Sequence, residues 1–305
     1  MLGDTTVMRI GIDMGGTKME ALALSSEGRE LARIRISSPR NHYENTIRTV
    51  AALVQKLEAE LGERGSVGVG IPGTIVRSSG LVKNANSTWL NGRLLEKDLC
   101  NALDREVRCE NDANCLAVSE ATDGNGAGHR MVFAVILGTG CGGGLAIDGR
   151  VHDGRHGVAG EWGHNGLPWP RADEVPGPPC YCGKSGCLET WISGTALGND
   201  YERHTGIAKT GKQVAEAAVQ GDEKATAALR RLEDRMARGF ASLVHVLDPD
   251  VIVIGGGLSR LECLYRNLPP LLESYGFGGG IRTPILPALH GDSSGVRGAA
   301  WLWSK

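Results

Sequence analysis

The sequence predicts an α/β fold with mixed sheets, and three observations carry that prediction. Short apolar, β-prone runs alternate with stretches whose apolar residues recur at three- and four-residue steps. Three of the apolar runs end in glycine clusters: Gly15-Gly16, Gly138 to Gly144 and Gly255 to Gly257. Glycine is also abundant, at 45 of 305 residues, and follows no collagen-like period. It therefore marks tight bends or places where the backbone approaches something closely.

In chain order, Val7 to Asp13 reads as a buried strand, and Ala21 to Ser25 and Leu31 to Ser37 extend it as a meander. From Glu44 the period changes: Ile47, Val50, Val54, Leu57 and Leu61 line one face of a helix that Gly62 and Gly65 terminate. Val67 to Ile71 is a short strand, and Lys83 to Gly92 is polar and turn-rich. Leu94 to Leu103 predicts a helix, Val107 to Glu110 a strand and Cys115 to Ala121 a helix. Met131 to Leu137 is a strongly β-prone strand, and the Gly138 to Gly144 cluster reads as the turn at its tip. The two halves thus each begin with an apolar strand delivering a glycine- and threonine-rich turn, a weak internal echo. The longest helix places Leu229, Leu232, Met236, Phe240, Leu243 and Leu247 on one face and stops at Asp248-Pro249. Val251 to Ile254 is the last clear strand.

At roughly 150 residues per domain, the length predicts two domains. The boundary is expected in the glycine-rich segment near 121–130, giving domains of 1–122 and 123–305. Hydrophobic residues make up 41%, charged residues 22%, and the net charge is −2. Global disorder is excluded, and no bulk charge favours nucleic acid or an anionic membrane. No apolar run reaches membrane-spanning length, and Met1 to Met8 lacks the basic and apolar regions of a secretory leader. A cytoplasmic, reduced setting is therefore expected, and the eight cysteines are not a disulfide framework. Cys100, Cys109, Cys115, Cys141 and Cys263 are scattered and read as buried or half-buried small residues.

Glycine turns after strands can present backbone amides to phosphate oxygens, because glycine tolerates φ > 0 and leaves room for a ligand. Neither a Walker-type phosphate loop nor a dinucleotide fingerprint is present, yet three such turns, two with a threonine, favour a nucleotide over purely structural bends. Asp13, just ahead of Gly15-Gly16-Thr17-Lys18, suits either a hydrated Mg²⁺ on a polyphosphate or a turn-forming carboxylate. Asn111-Asp112 stands where a strand passes into a helix. Asp112 reads as an N-cap or as a proton acceptor for a substrate hydroxyl, with Asn111 orienting that substrate.

The most specific signal is His164, Cys180, Cys182 and Cys187. Three thiols and one imidazole are a standard tetrahedral Zn²⁺ set, and Gly183 and Gly186 let a short loop wrap the ion. Four protein ligands leave no open position, so the role is structural. Glu161 and Glu189 flank the set. Closing the loop should bring both near His164, as acceptors for vicinal hydroxyls or as partners that only support folding.

Together these residues resemble the ROK family of sugar kinases, within the actin-like/hexokinase-like ATPase superfamily. The carriers are Asp13-Met-Gly-Gly-Thr-Lys18, Gly70-Ile-Pro-Gly73, Asn111-Asp112, Leu137-Gly-Thr-Gly-Cys-Gly-Gly143, Gly160-Glu-Trp-Gly-His164, the Cys180 to Glu189 run and Gly255-Gly-Gly257. KNANSTWLNG, EWGHNGLPW and HGDSSGVRGAAWLW look like the bacterial fructokinase branch.

The resemblance implies two actin-like (ribonuclease H-like) domains around a cleft, a zinc loop over 164–187 and a C-terminal tail packing on the N-terminal domain. It implies ATP with Mg²⁺, held by Asp13, Gly15, Gly16, Thr17, Lys18, Gly138, Thr139, Gly140 and Gly142, with Gly255, Gly256 and Gly257 on the adenosine side. It implies sugar contacts at Gly73, Asn86, Asn111, Asp112, Glu161, His164 and Glu189, with Asp112 as catalytic base and His164 doubling as zinc ligand. The implied reaction is phosphorylation of D-fructose to fructose 6-phosphate by a homodimer, with no nucleic-acid or membrane partner. Glucokinase, mannokinase or N-acetylhexosamine kinase are the alternatives. A sugar-responsive transcriptional regulator of the same family is disfavoured, since too few residues precede the first strand to hold a helix-turn-helix.

Overall fold

The computed structural model describes residues 8–303. Val7, expected to start the first strand, lies outside them, as does the leader reading except at Met8.

The first sheet is built from β1 (Arg9–Met14), β2 (Lys18–Leu24), β3 (Glu30–Ser37), β4 (Ser66–Ile71) and β7 (Val107–Asn111), in the order β3-β2-β1-β4-β7. The meander β1-β2-β3 is antiparallel, while β4 and β7 run parallel to β1. Between β4 and β7 a small hairpin, β5 (Thr74–Val76) with β6 (Leu81–Lys83), precedes and enters the polar stretch. The second sheet has the same plan. It comprises β8 (Met131–Leu137), β9 (Cys141–Ile147), β10 (Arg150–Val151), β11 (Val251–Gly255) and β12 (Ile285–Pro287), ordered β10-β9-β8-β11-β12. β8 takes the central place that β1 holds in the first sheet, so the faint sequence echo is a real repetition of topology.

Helices α1 (Tyr43–Leu61) and α2 (Leu95–Leu103) bury Val50, Val54, Leu57, Leu95 and Leu99 with Ile10, Ile12, Val67 and Val69 of the first sheet. Gly62 ends α1 in the left-handed conformation and donates to the Glu58 carbonyl. Gly65 instead begins the return to β4. A further cluster joins Leu22 and Leu24 to Val118 of α3 (Asp112–Asp123) and to Val296, Ala300 and Trp301 of α9 (Ser294–Trp301). α9 lies so close that a Cβ on Gly11 would sit 2.0 Å from the Val296 carbonyl, and one on Gly68 1.8 Å from that of Ala299.

Beside the second sheet stand α4 (Glu189–Ile192), α5 (Gly194–Thr205), α6 (Gly211–Val219), α7 (Glu223–Leu247) and α8 (Glu262–Tyr275). Trp162 fills its core, edge-on to Phe133 of β8 and stacked on Phe240 of α7. The expected turn over 138–144 needs one correction: Cys141 to Gly144 belong to β9, and the turn is confined to 138–140. Gly143 and Gly144 are glycines because Trp162 and Ala113 press on the backbone there, leaving 2.7 and 2.3 Å to any Cβ.

By contact the chain forms two compact units. One comprises Met1–Gly128, Gly144–Ala159 and Asp292–Lys305, the other His129–Gly143 and Gly160–Gly291. Among the described residues no helix is long and apolar enough to cross a membrane.

Candidate active site

In the first unit, β1 delivers Asp13 to the hairpin turn 15–17. The carbonyls of Gly15, Gly16 and Thr17 accept from Ser38 Oγ (2.6 Å), Arg40 Nε (3.1 Å) and Ser38 N–H (3.1 Å). Because a trans peptide points its C=O and N–H in opposite directions, the intervening amides face the other way, as an anion cradle requires. Asp13 is raised to about 7, first by burial and then by the neighbouring carboxylates of Asp112 and Glu20, against the pull of Lys18 and Arg35. A Cβ on Gly295 or Gly70 would lie 3.7 or 3.9 Å from its carboxylate. A carboxyl that resists its own ionisation this strongly fits a cation holder, since a positive ion there removes the repulsion.

β7 ends at Asn111, and α3 begins on Asp112. Asn111 is the N-cap: its Oδ1 accepts from Ala113 N–H at 2.9 Å, and its Nδ2 donates to the Gly73 carbonyl at 3.1 Å. The cap thus falls one residue before the expected Asp112, and Asp112 sits in the first turn, its Oδ1 2.9 Å from the same Ala113 N–H. Glu110, absent from the sequence reading, accepts from Asn111 N–H (2.8 Å) and Asn114 Nδ2 (3.0 Å), gripping the chain on both sides of Asp112. Burial raises its carboxyl, the Asn114 and Asn111 bonds opposing. Gly73 has φ 150° and no room for a side chain against Lys83 and Ala85. Asn86 is exposed, in a loop that Asn91 clamps through both the N–H and the carbonyl of Ala85.

In the second unit, Gly138, Thr139 and Gly257 line a cavity of about 690 Å³ together with Gly194, Thr195 and Lys212. Gly256 has φ 80° and lies hard against Leu137, while Gly255 belongs to β11 rather than to the turn. Gly142 is within β9, its carbonyl accepting from Trp162 Nε1 at 3.2 Å.

The four metal-ligating side chains come together, with all donor atoms within 4.8 Å of one another. Cys180 Sγ is 3.6 Å from His164 Nδ1, and Cys182 Sγ is 3.6 Å from Cys187 Sγ. Ligands about 2.3 Å (S) and 2.05 Å (N) from a tetrahedral Zn²⁺ lie about 3.5–3.8 Å apart, so the spacing fits a shared ion. Gly183 and Gly186 have φ of 87° and 72°, which is why the loop needs glycine there. The other ring nitrogen, His164 Nε2, meets the Tyr181 hydroxyl at 3.0 Å. That hydroxyl is pushed up to about 12, by its partial burial first and then by Glu189 and Glu161, so both carboxylates bear on the His164 edge of the loop. Tyr181 carries no sequence signal beyond its place between two ligands. Glu189 Oε2 accepts from Cys141 N–H at 2.9 Å.

A model of the ROK family matches residues 9–305. The N-acetyl-D-glucosamine kinase of Pectobacterium carotovorum subsp. carotovorum (strain PC1) is 40% identical over 299 residues, covering 97% of this chain and 98% of that one. The enzyme of the same name from Vibrio cholerae is 38% identical over 97% of this chain and 99% of its own. Among solved structures, the ROK hexokinase of Thermus thermophilus superposes with a TM-score of 0.86 at 30% identity, covering 97% of each chain. The ROK family glucokinase of Streptomyces griseus, in complex with glucose and AMPPNP, gives 0.77 at 31%, over 96% of this chain and 98% of that one. With the family model spanning nearly every residue and the motif positions ordered as above, the chain belongs to the ROK family, the family of sugar kinases that its motifs resemble.

Proposed function

We propose that the chain transfers the γ-phosphoryl group of ATP to a hexose hydroxyl, with N-acetyl-D-glucosamine as the preferred sugar. The observation that supports the chemistry is the carboxylate pair of the first unit: Asp112 at a helix start and Asp13 near enough for the one to help raise the other to about 7. Two such groups divide the labour. Asp112 accepts the proton of the attacking hydroxyl, and Asp13, with the turn 15–18, holds the cation side of the polyphosphate. Mg²⁺, when bound, supplies neutralisation of the phosphate oxygens. Gly138, Thr139 and Gly140 cradle the nucleotide beside the 690 Å³ cavity, with Gly256 and Gly257 at its adenosine end. Glu161, His164 and Glu189 take the sugar hydroxyls, Asn111 and Gly73 support Asp112, and Asn86 stands on the clamped 84–92 loop. The Cys₃His set holds a structural Zn²⁺.

The choice of sugar is supported by the names of the relatives that match over nearly their whole length. D-fructose is the second reading, favoured by the KNANSTWLNG and EWGHNGLPW runs. A coupled ADP-release assay across N-acetyl-D-glucosamine, D-glucose, D-mannose and D-fructose decides: kcat/KM is expected highest for N-acetyl-D-glucosamine, and a fructose preference reverses the order. A homodimer in a cytoplasmic setting belongs to the same proposal, and light scattering of the purified chain tests its mass.

A further inference from the structure

Glu189 has a second occupation that the sugar-contact reading does not require. It opens α4 two residues after Cys187, and its Oε2 accepts the N–H of Cys141, the first residue of β9, at 2.9 Å. The same oxygen lies 2.5 Å from where a Cβ on Gly140 would stand, so the carboxylate occupies the side-chain space of the turn. The far side of that turn is fixed from the same segment: Gly194 N–H, at the start of α5, donates to the Gly138 carbonyl at 2.7 Å. Gly138, Thr139, Gly194 and Thr195 all line the 690 Å³ cavity. The run 187–195 therefore connects the Cys/His loop to the glycine turn at both ends of the turn, once through a carboxylate and once through the main chain.

We propose that Glu189 is a positioning residue for the nucleotide turn 138–140, through which the Cys/His loop sets the shape of the nucleotide cavity. The inference rests on the kinase reading above and deepens it. A carboxylate accepting a backbone N–H makes a charge-assisted bond and fixes the 140–141 peptide. Without it, Gly140, which has no side chain to restrain it, regains conformational freedom. Nucleotide affinity measured with no sugar present should then depend on a residue otherwise assigned to the sugar.

The test is calorimetric titration of the full chain with a non-hydrolysable ATP analogue and Mg²⁺, without sugar. Glu189→Ala should weaken the analogue about tenfold. Glu189→Gln, whose amide oxygen can still accept from Cys141, should recover most of that loss. Gly140→Ala displaces the carboxylate and should weaken the analogue similarly, and adding Glu189→Ala to it should cost nothing further. Because Gly140 itself belongs to the nucleotide cradle, a loss in Gly140→Ala counts only together with the double variant. Where Glu189→Ala fails to fold, Glu189→Asp, whose carboxylate is one methylene short of the Cys141 N–H, replaces it in both measurements. The inference is overturned by Glu189→Ala or Gly140→Ala binding the analogue as wild type does, or by losses that multiply in the double variant. A wild-type chain that takes up no analogue overturns the kinase reading instead.

Discussion

One buried carboxylate in the first unit and two in the second are treated in opposite ways. In the first, Asp13 faces Asp112 and Glu20 and is raised to about 7. In the second, Glu174 and Asp200 are surrounded by arginines. Glu174 bonds Arg238 through both oxygens (2.8 Å each), Arg235 Nε (2.8 Å) and Arg171 N–H (2.9 Å); Asp200 takes Arg235 Nη1 (2.7 Å) and Arg231 Nε (2.8 Å). Burial pushes Glu174 up, but those bonds hold it at about 2. The compensated cluster ties the chain between His164 and Cys180 to α7 and serves the fold. Asp13, buried beside two carboxylates that outweigh the pull of Lys18 and Arg35, is harder to ionise in the fold than in water, and carboxylates perturbed in this way cluster at functional sites.

Breaking the first region should have the largest effect. Asp112→Asn should lower kcat by about 10³-fold, in the range of a lost general base, while calorimetric sugar affinity stays within a few-fold. A near-normal kcat removes Asp112 from that role. In the second region, Glu174→Gln leaves buried arginines under-compensated and should cost about 3–5 kcal/mol in urea unfolding at pH 7. Because Glu174 ionises at about 2, below the ordinary value of 4.5, its contribution is present above pH 4.5 and is lost as pH falls toward 2. The gap between variant and wild type should close over that window.

The smallest effect has the opposite sign. Asp13, raised above its ordinary 3.8, favours folding below that value and loses the contribution as pH rises to about 7. Asp13→Asn should therefore raise Tm by about 2–4 °C at pH 8 and leave it unchanged at pH 4, while turnover is lost. A variant with lower Tm at pH 8 would erase the contrast between the regions.

What was legible in the sequence follows from which forces act locally. β8 occupies the expected residues, Met131 to Leu137, and α1 starts within one residue of Glu44, because unbroken β-prone runs and three/four spacing are written in neighbouring residues. The Cys/His set was legible because thiols at loop spacing have few other uses. β9 was not, since a CGGGLAI strand owes its glycines to Trp162 and Ala113, which are distant in sequence. α8 hides behind Pro269 and Pro270, both inside the helix, where proline usually signals a break. Tyr181 and Glu110 were missed because their roles are contacts, with His164 and with the backbone around Asp112, and no residue type announces a contact.

The fit of α9 into the glycine notches at Gly11 and Gly68 has a consequence for synthesis. During translation, β1 and β4 emerge early, but the helix that seals one face of their sheet is made from residues 294–301. Until those residues leave the ribosome, Leu22, Leu24 and Val118 lack their cover. The opening strands must wait, partly uncovered, until residues 294–301 have been made.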